Sequence, residues 1–327
     1  MRGFRRLLVA GCAAIAALAV TASARAADWP QRPVRVIVGF AAGGNIDNLA
    51  RLTSARLSKA FGQQFVVENR VGAMGSLAAE AVAHAQPDGY TLFWAGTGTV
   101  SIFPAMRKPA FDIDKDFTPV SLIGTSPQVL VVNNDFPAKN VAEFVAAVKA
   151  QQGKLSYGGG GGPGSVSNLL MALFLKRAGL QMISVTYRGT APALTDLIAG
   201  HIPAMFVPLP EALAQAQGGK LRILAVSSGT RAHQAPNVPT IAESGFPGYD
   251  ALSWNGLLAP AGTPKEIVHK IADEIVRATK DPDFVKNLDR YGANPVGLTP
   301  EEFAKFLTKD RPLWADAVAT AGVKLGK

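Results

Sequence analysis

RPVRVIVGFAAGGNID, residues 32–47, passes from a β-branched run into two adjacent glycines and then into NLARLTSARLSKAF, whose apolar spacing is helical. A short apolar run that ends in turn residues and leads into an amphipathic stretch reads as a buried strand feeding a helix. Gly43 and Gly44 stand at the junction. Glycine costs conformational entropy there, so it marks a sharp bend or a close approach to the backbone. Two readings stand at this point: a tight strand-to-helix turn, or a small anion seated on the first turn of the helix.

The same alternation continues outward along the chain. QQFVVEN leads to MGSLAAEAVAHA, and DGYTLFWAG to a short helix near VSIFPAM; PQVLVVN, GKLSYGG, MISVTY, PAMFV and LRILAVS punctuate the second half between helical stretches. Strands alternating with helices define an α/β fold with mostly parallel sheets. No Gly/Ser- or Pro-rich linker divides the chain, so a domain change requires strands that cross between two lobes. The crossings are expected near SLIGTSPQ and GYDALSW, which puts 27–126 with 253–327 in one lobe and 127–252 in the other. Thr263-Pro264 and Thr299-Pro300 each place a capping threonine before a first-turn proline. Glu302 completes a capping box with Thr299. In KEIVHKIADEIVRATK, the residues Ile267, Val268, Ile271, Ala272, Ile275 and Val276 share one face, and Pro312 is expected to kink or end the last helix.

The first residues bear on compartment. MRGFRR is basic, LLVAGCAAIAALAV is apolar, and Ala24-Arg25-Ala26 is a small-x-small site, so the reading is an export signal cleaved after Ala26, with the mature protein in the periplasm. Arg5-Arg6 leaves export by the Sec or the Tat route open. Cys12, the only cysteine, falls inside that signal, which excludes disulfides, thiolate metal sites and a cysteine nucleophile from the mature chain. Loss of Arg2, Arg5, Arg6 and Arg25, with no acidic residue, takes the formal charge from +9 to +5. That modest positive field suits an anionic ligand, and without a basic cluster it does not suggest nucleic acid.

Catalytic and cofactor signatures are sparse. His84, His201, His233 and His269 lie far apart without metal-ligand spacing, and neither a nucleophile elbow nor a P-loop occurs. Gly159-x-Gly161-x-x-Gly164 matches a dinucleotide fingerprint in form only, because no acidic residue follows about twenty positions later, where the chain reads MISVTYR. FDIDKDF lacks the glycine and glutamate of a calcium loop and reads as a solvated turn, and Asp196 reads as a helix-face or tertiary hydrogen-bond residue. No cofactor and no metal are expected.

Four strand-to-helix junctions carry small, donor-rich residues: AAGGNID (41–47), AGTGTVS (95–101), GGGGGPGSVS (158–167) and RGTAPA (188–193). At the carboxyl ends of parallel strands such loops share one side of the sheet. Each presents unpaired N–H groups with a helix dipole behind them, so two facing lobes would form an anion clamp.

RPVRVIVGFAAGGNIDNLAR, VVENRVGAMGSLAAEAVAHAQPDGYTL, VTYRGTAPALTDLIAG, VPTIAESGFPGYDALSWNGLLAPAGTPKEIV and TPEEFAKFL, in this order, resemble the solute receptors of tripartite tricarboxylate transporters, also called Bug receptors. The resemblance spans essentially the whole mature chain. It implies a two-lobed, periplasmic-binding-protein (Venus flytrap, type II-like) fold. It also implies a monomeric, non-enzymatic receptor that captures a small carboxylate and passes it to a membrane permease. A sensor docking onto a histidine kinase, or an exported enzyme on the same scaffold, are the alternatives. Mapped here, the ligand loops are Ala42, Gly43, Gly44, Asn45 and Asp47, with Thr97 of the second junction, facing Ser165, Arg188, Gly189, Thr190 and Ala191. Asp47 contacts the ligand or only caps its helix, and Arg188 pairs with a second carboxylate or lies on the rim.

This chain also departs from the family pattern. Val207 stands in MFVPLP where relatives often have an acid, Asn168 stands where many have a histidine, and Val71 and Met74 replace a proline and a glycine. These changes lean towards a dicarboxylate or aromatic carboxylate over an amino acid, with Phe40, Trp94, Phe206 and Trp254 as candidate apolar walls.

Overall fold

The computed structural model describes residues 29–323; the expected leader and its cleavage site lie outside them. In the first lobe β1 (Val34–Val38), α1 (Asn45–Phe61), β2 (Phe65–Asn69), α2 (Ser76–Ala83) and β3 (Thr91–Gly96) alternate. A π-helical turn (Gly98–Ile102) continues into α3 (Phe103–Met106), and α4 (Ile113–Asp116) precedes β4 (Phe117–Ser126). The second lobe comprises β5 (Gln128–Asn133), α5 (Val141–Ala150), β6 (Ser156–Gly160), α6 (Val166–Ala178) and β7 (Ile183–Tyr187). It continues through α7 (Thr190–Ile198), β8 (Ala204–Pro208), α8 (Leu209–Gln217) and β9 (Leu221–Val226). The chain then returns through β10 (Ser253–Pro260), α9 (Lys265–Ala278), α10 (Pro282–Arg290), β11 (Asn294–Pro295) and α11 (Pro300–Ala321).

Two sheets result, ordered β11-β4-β10-β3-β1-β2 and β7-β6-β8-β5-β9. They are mixed rather than mostly parallel. β1 pairs in parallel with β2 and β3, and β6 with β7 and β8, through helical crossovers. The strands that carry the chain between lobes break this rule. β4 passes into β5 through Pro127 alone, and β10 returns between β3 and β4, antiparallel to both. A strand that changes sheets needs no crossover helix, so nothing forces it into parallel register.

VRVIV reads as a continuous apolar run because both faces of β1 are covered. Val34, Val36 and Val38 pack with Leu49, Ala50 and Leu57 of α1, whereas Ile37 joins Ala78, Ala79 and Val82 of α2 on the other face. Arg35, the one polar residue of the run, forms a two-pronged bond with Glu68 of β2 at 2.6 and 2.7 Å.

Helix α11 serves both lobes. Phe303 and Leu307 pack in the first lobe's core, and Trp314, Ala317 and Val318 in that of the second. Pro312 lies between these halves without ending the helix. Thr299 and Glu302 form the expected capping box, but Thr263 caps nothing: its hydroxyl donates to the Pro260 carbonyl. On α9, Ile267, Val268, Ile271, Ala272 and Ile275 are buried, while Val276 is only half-buried. Asp112 caps α4, and Asp196 accepts from the Tyr187 hydroxyl at 2.8 Å. Among the described residues no helix is long and apolar enough to cross a membrane.

Candidate functional site: the interlobe cleft

A cavity of about 510 Å³ lies between the lobes, in the size range of small-molecule sites. Both chain crossings contribute to it, as Ser126–Gln128 and Ser253–Asn255. Phe40, Asn45 and Thr97 line it from the first lobe, and Ser165, Val166 and Pro208 from the second.

Its polar groups are mostly neutral donors. The Trp94 indole N–H donates to Asn255 Oδ1 at 3.2 Å. Indole can only donate, so this contact fixes the Asn255 amide with its NH2 on the opposite side. Gln128, also buried, accepts from Ser167 Oγ at 2.8 Å through Oε1, leaving its own NH2 without a described protein partner. Ser126 Oγ is buried without a hydrogen-bond partner among the described residues. Thr97 Oγ1 accepts from the Trp254 amide at 2.8 Å, which leaves its proton to donate. Ser165 caps α6, accepting from Asn168 N at 3.3 Å, and the positive end of that dipole meets the cleft there. Neutral N–H and O–H donors at a helix N-terminus have the chemistry to hold a carboxylate without a formal counter-charge.

Two charged side chains line the cavity, Glu211 of α8 and Arg290 of α10. Neither has an ion-pair or hydrogen-bond partner among the described residues. Burial pushes the Glu211 carboxyl up from its ordinary value, although the side chain remains open to cleft solvent. The lobes touch beside these groups, where a Cβ on Gly292 would strike the Pro210 ring, and again where a Cβ on Gly164 would meet Met106 Cε at 2.5 Å. At the same rim His233 Nε2 lies 2.6 Å from Asp289 Oδ1.

Of the residues expected from sequence, Phe40, Asn45, Thr97 and Ser165 meet at this cavity. Ala42, Gly43 and Gly44 are exposed on the adjoining loop and do not line it. The Gly43 N–H is already taken by Asp47 Oδ2 at 2.9 Å. A Cβ on Gly43 would meet nothing within 4 Å, but its φ of +82° disfavours any other residue. The first glycine loop is therefore a bend, held by Asp47. The close approach lies one step back, where Gly39 packs directly on the backbone of Gly75. Asp47 is buried and also accepts from Arg51 and Asn69, both at 2.8 Å. Burial would raise its carboxyl, yet these bonds outweigh it and hold the group below the usual carboxylate range.

Arg188, Gly189, Thr190 and Ala191 open α7 outside the cavity lining, with Arg188 and Ala191 exposed. A Cβ on Gly160 would lie 2.9 Å from Thr190 Cα, so this loop abuts the glycine run without reaching the cleft. Val207 is fully buried with Val129 and Val131 on one face of its sheet, and Phe206 is buried on the other. Pro208, one residue on, is the part of β8 that meets the cleft. Trp94, Trp254 and Met74 do line it, whereas Val71 lies exposed elsewhere. The glycines that mimic a dinucleotide fingerprint serve packing. A Cβ at Gly159 would stand 2.7 Å from Asn168 Oδ1, and Asn168 itself ties Pro163 O to Ser184.

Sequence reading missed Ser126, Gln128, Asn255, Glu211 and Arg290. Ser126 and Gln128 sit in the crossing segment SLIGTSPQ and Asn255 directly follows GYDALSW, and a strand that crosses between lobes must pass the floor of their cleft. Glu211 and Arg290 carry no local signal.

The fold and this cleft define a two-lobed binding protein. Residues 49–322 match the family model described as "Tripartite tricarboxylate transporter family receptor", and the chain belongs to that family. It is 36% identical over 312 residues to the "UPF0065 protein in tcbD-tcbE intergenic region" of Pseudomonas sp. (strain P51), covering 95% of this chain and 92% of the relative. Among solved structures it is similar to R. palustris Rpa4515 with adipate, at 34% identity and TM-score 0.74 over 90% of this chain and 99% of the other. MatC from Rhodopseudomonas palustris with bound malate matches at 36% identity and TM-score 0.71, over 89% and 100%.

Proposed function

We propose that this protein captures a small carboxylate in the interlobe cleft, without transforming it, and delivers it to a membrane permease of the tripartite tricarboxylate type. A dicarboxylate or aromatic carboxylate is favoured; the preference against an amino acid drawn from the sequence lapses, because it rested on a missing ammonium partner and Glu211 lines the cleft. The carrying observation is the set of neutral donors at Ser126, Gln128, Asn255, Thr97 and Ser165, walled by Phe40, Trp94 and Trp254. The adipate and malate in the two related structures agree with this ligand class. The mature chain works as a periplasmic monomer, and affinity for the closed arrangement of lobes drives capture. Ala42, Gly43, Gly44 and Arg188–Ala191, which the sequence assigns to the ligand, lie outside this cavity lining and reach a ligand there only if the lobes rearrange.

The test is a thermal-shift screen of refolded mature protein against amino acids, aliphatic dicarboxylates, citrate-like acids and aromatic carboxylates. A ligand at a hundred times its dissociation constant stabilises the fold by about 2.7 kcal/mol, a visible shift. A shift confined to one carboxylate class supports the reading and names the class. A folded protein that shifts with none of them overturns it.

A further inference from the structure

We infer that Glu211 and Arg290, one from each lobe, form a second recognition point in the cleft that selects carboxylates bearing a hydrogen-bond donor, hydroxyl or ammonium, on the carbon next to a carboxyl group. This deepens the proposed function and rests on it. Both side chains line the cavity, both lack a protein partner among the described residues, and no ion pair joins them. They flank the Pro210–Gly292 contact, so they come together only where the lobes meet.

The chemistry follows from what each can offer. Arg290 presents only donors and pairs with carboxylate oxygens in a two-pronged geometry. Ionised Glu211 presents only acceptors, so beside a ligand carboxylate alone it is repulsive. A hydroxyl or ammonium on the adjacent carbon turns that repulsion into a hydrogen bond while the carboxylate faces Arg290. Burial already disfavours the Glu211 charge, and a ligand donor would relieve it. The neutral donors near Asn255 and Ser165 are left for the ligand's other carboxylate.

The experiment is a calorimetric titration of refolded mature protein with two matched series: succinate, malate and aspartate, and adipate, 2-hydroxyadipate and 2-aminoadipate. In the better-fitting series the 2-hydroxy or 2-amino acid should bind at least about tenfold tighter than the unsubstituted diacid, the increment of a hydrogen bond to a charged group. Glu211→Ala should erase this preference and leave the unsubstituted diacid as tight or tighter. Glu211→Gln separates the two donors, because its amide oxygen still accepts from a hydroxyl but no longer balances an ammonium. Arg290→Gln should weaken every diacid. Equal affinity across a series that binds, or an unchanged preference in Glu211→Ala, overturns the inference while leaving carboxylate capture intact. Failure of every carboxylate to bind the wild type overturns the proposed function and this inference with it.

Discussion

Trp94 of β3 and Asn255 of β10 lie diagonally across neighbouring strands, with Gly96 opposite Asn255 and Leu257 opposite Trp94, and are joined by an indole N–H···Oδ1 bond of 3.2 Å. This contact converts a core tryptophan into an orienting group, because it dictates which end of the amide meets the cleft. Asn255→Asp keeps an acceptor for Trp94 but replaces the NH2 with an anionic oxygen. We expect carboxylate affinity to fall by roughly tenfold or more, with the midpoint of unliganded unfolding little changed. Titration and thermal melts of the same samples check this, and a variant that binds as well as wild type removes Asn255 from the site.

Asp47 holds the first glycine loop from beneath, so Asp47→Asn should destabilise the fold by about 2 kcal/mol by loosening bonds to Gly43, Arg51 and Asn69. The effect should depend on pH. The folded carboxyl lies below its unfolded value, so its contribution is complete above the unfolded pKa of about 4 and is lost as pH falls through the folded one. Urea unfolding from neutral to acid pH should show wild type and variant converging below about pH 4. A constant difference across that range would mean that the carboxylate charge is not involved.

Asp310 is buried, accepting from Ser101 Oγ at 2.5 Å, Trp254 Nε1 at 2.8 Å and Trp314 Nε1 at 3.0 Å. Trp254 lines the cleft and Trp314 packs in the second lobe, so this carboxyl ties the binding wall to the helix shared by both lobes. Both of its oxygens face donor-only indoles. Asp310→Asn, though isosteric, must turn an NH2 towards one of them and should cost about 1–3 kcal/mol. Burial raises this carboxyl above its ordinary value, so the wild type should lose stability as pH rises through the folded pKa, and the asparagine variant should lack that slope. Chemical denaturation at several pH values reads both effects.

Gly292 combines a φ of +66° with direct contact between its Cα face and the Pro210 ring of the other lobe. Gly292→Ala adds a methyl group to a rigid partner at the point where the lobes meet. The left-handed conformation alone should cost about 1 kcal/mol of stability. The interlobe clash should weaken ligand binding by a further tenfold or so, about 1.4 kcal/mol. Scattering with and without ligand should show a smaller compaction than in wild type. Full compaction with unchanged affinity would place Pro210 and Gly292 outside the closing contact.

Much of this architecture is legible locally. The run VRVIV, the helical period after it and the capping box at Thr299 each act over a few residues, and each appears where its chemistry demands. The mixed sheets were less legible, since strand direction depends on which lobe a strand enters and not on its own side chains. Val207 shows the same limit: AMFV is buried on both faces, so alternation cannot say which face looks towards the cleft. Thr263 could cap a helix or bond back to Pro260, and only the local path of the chain selects the second.

The sequence by itself determined the α/β alternation and the family, because these rest on periodicity, turn chemistry and ordered motifs along one dimension. The tertiary structure alone decided which donors line the cleft. Gly43 lost its N–H to Asp47, four residues away, whereas Gln128, Asn255, Glu211 and Arg290 gained a shared cavity from distant parts of the chain. Backbone conformation is set by neighbours in sequence, but a binding site is set by neighbours in space, and in a two-lobed protein those are brought together only by the crossing strands and the meeting of the lobes.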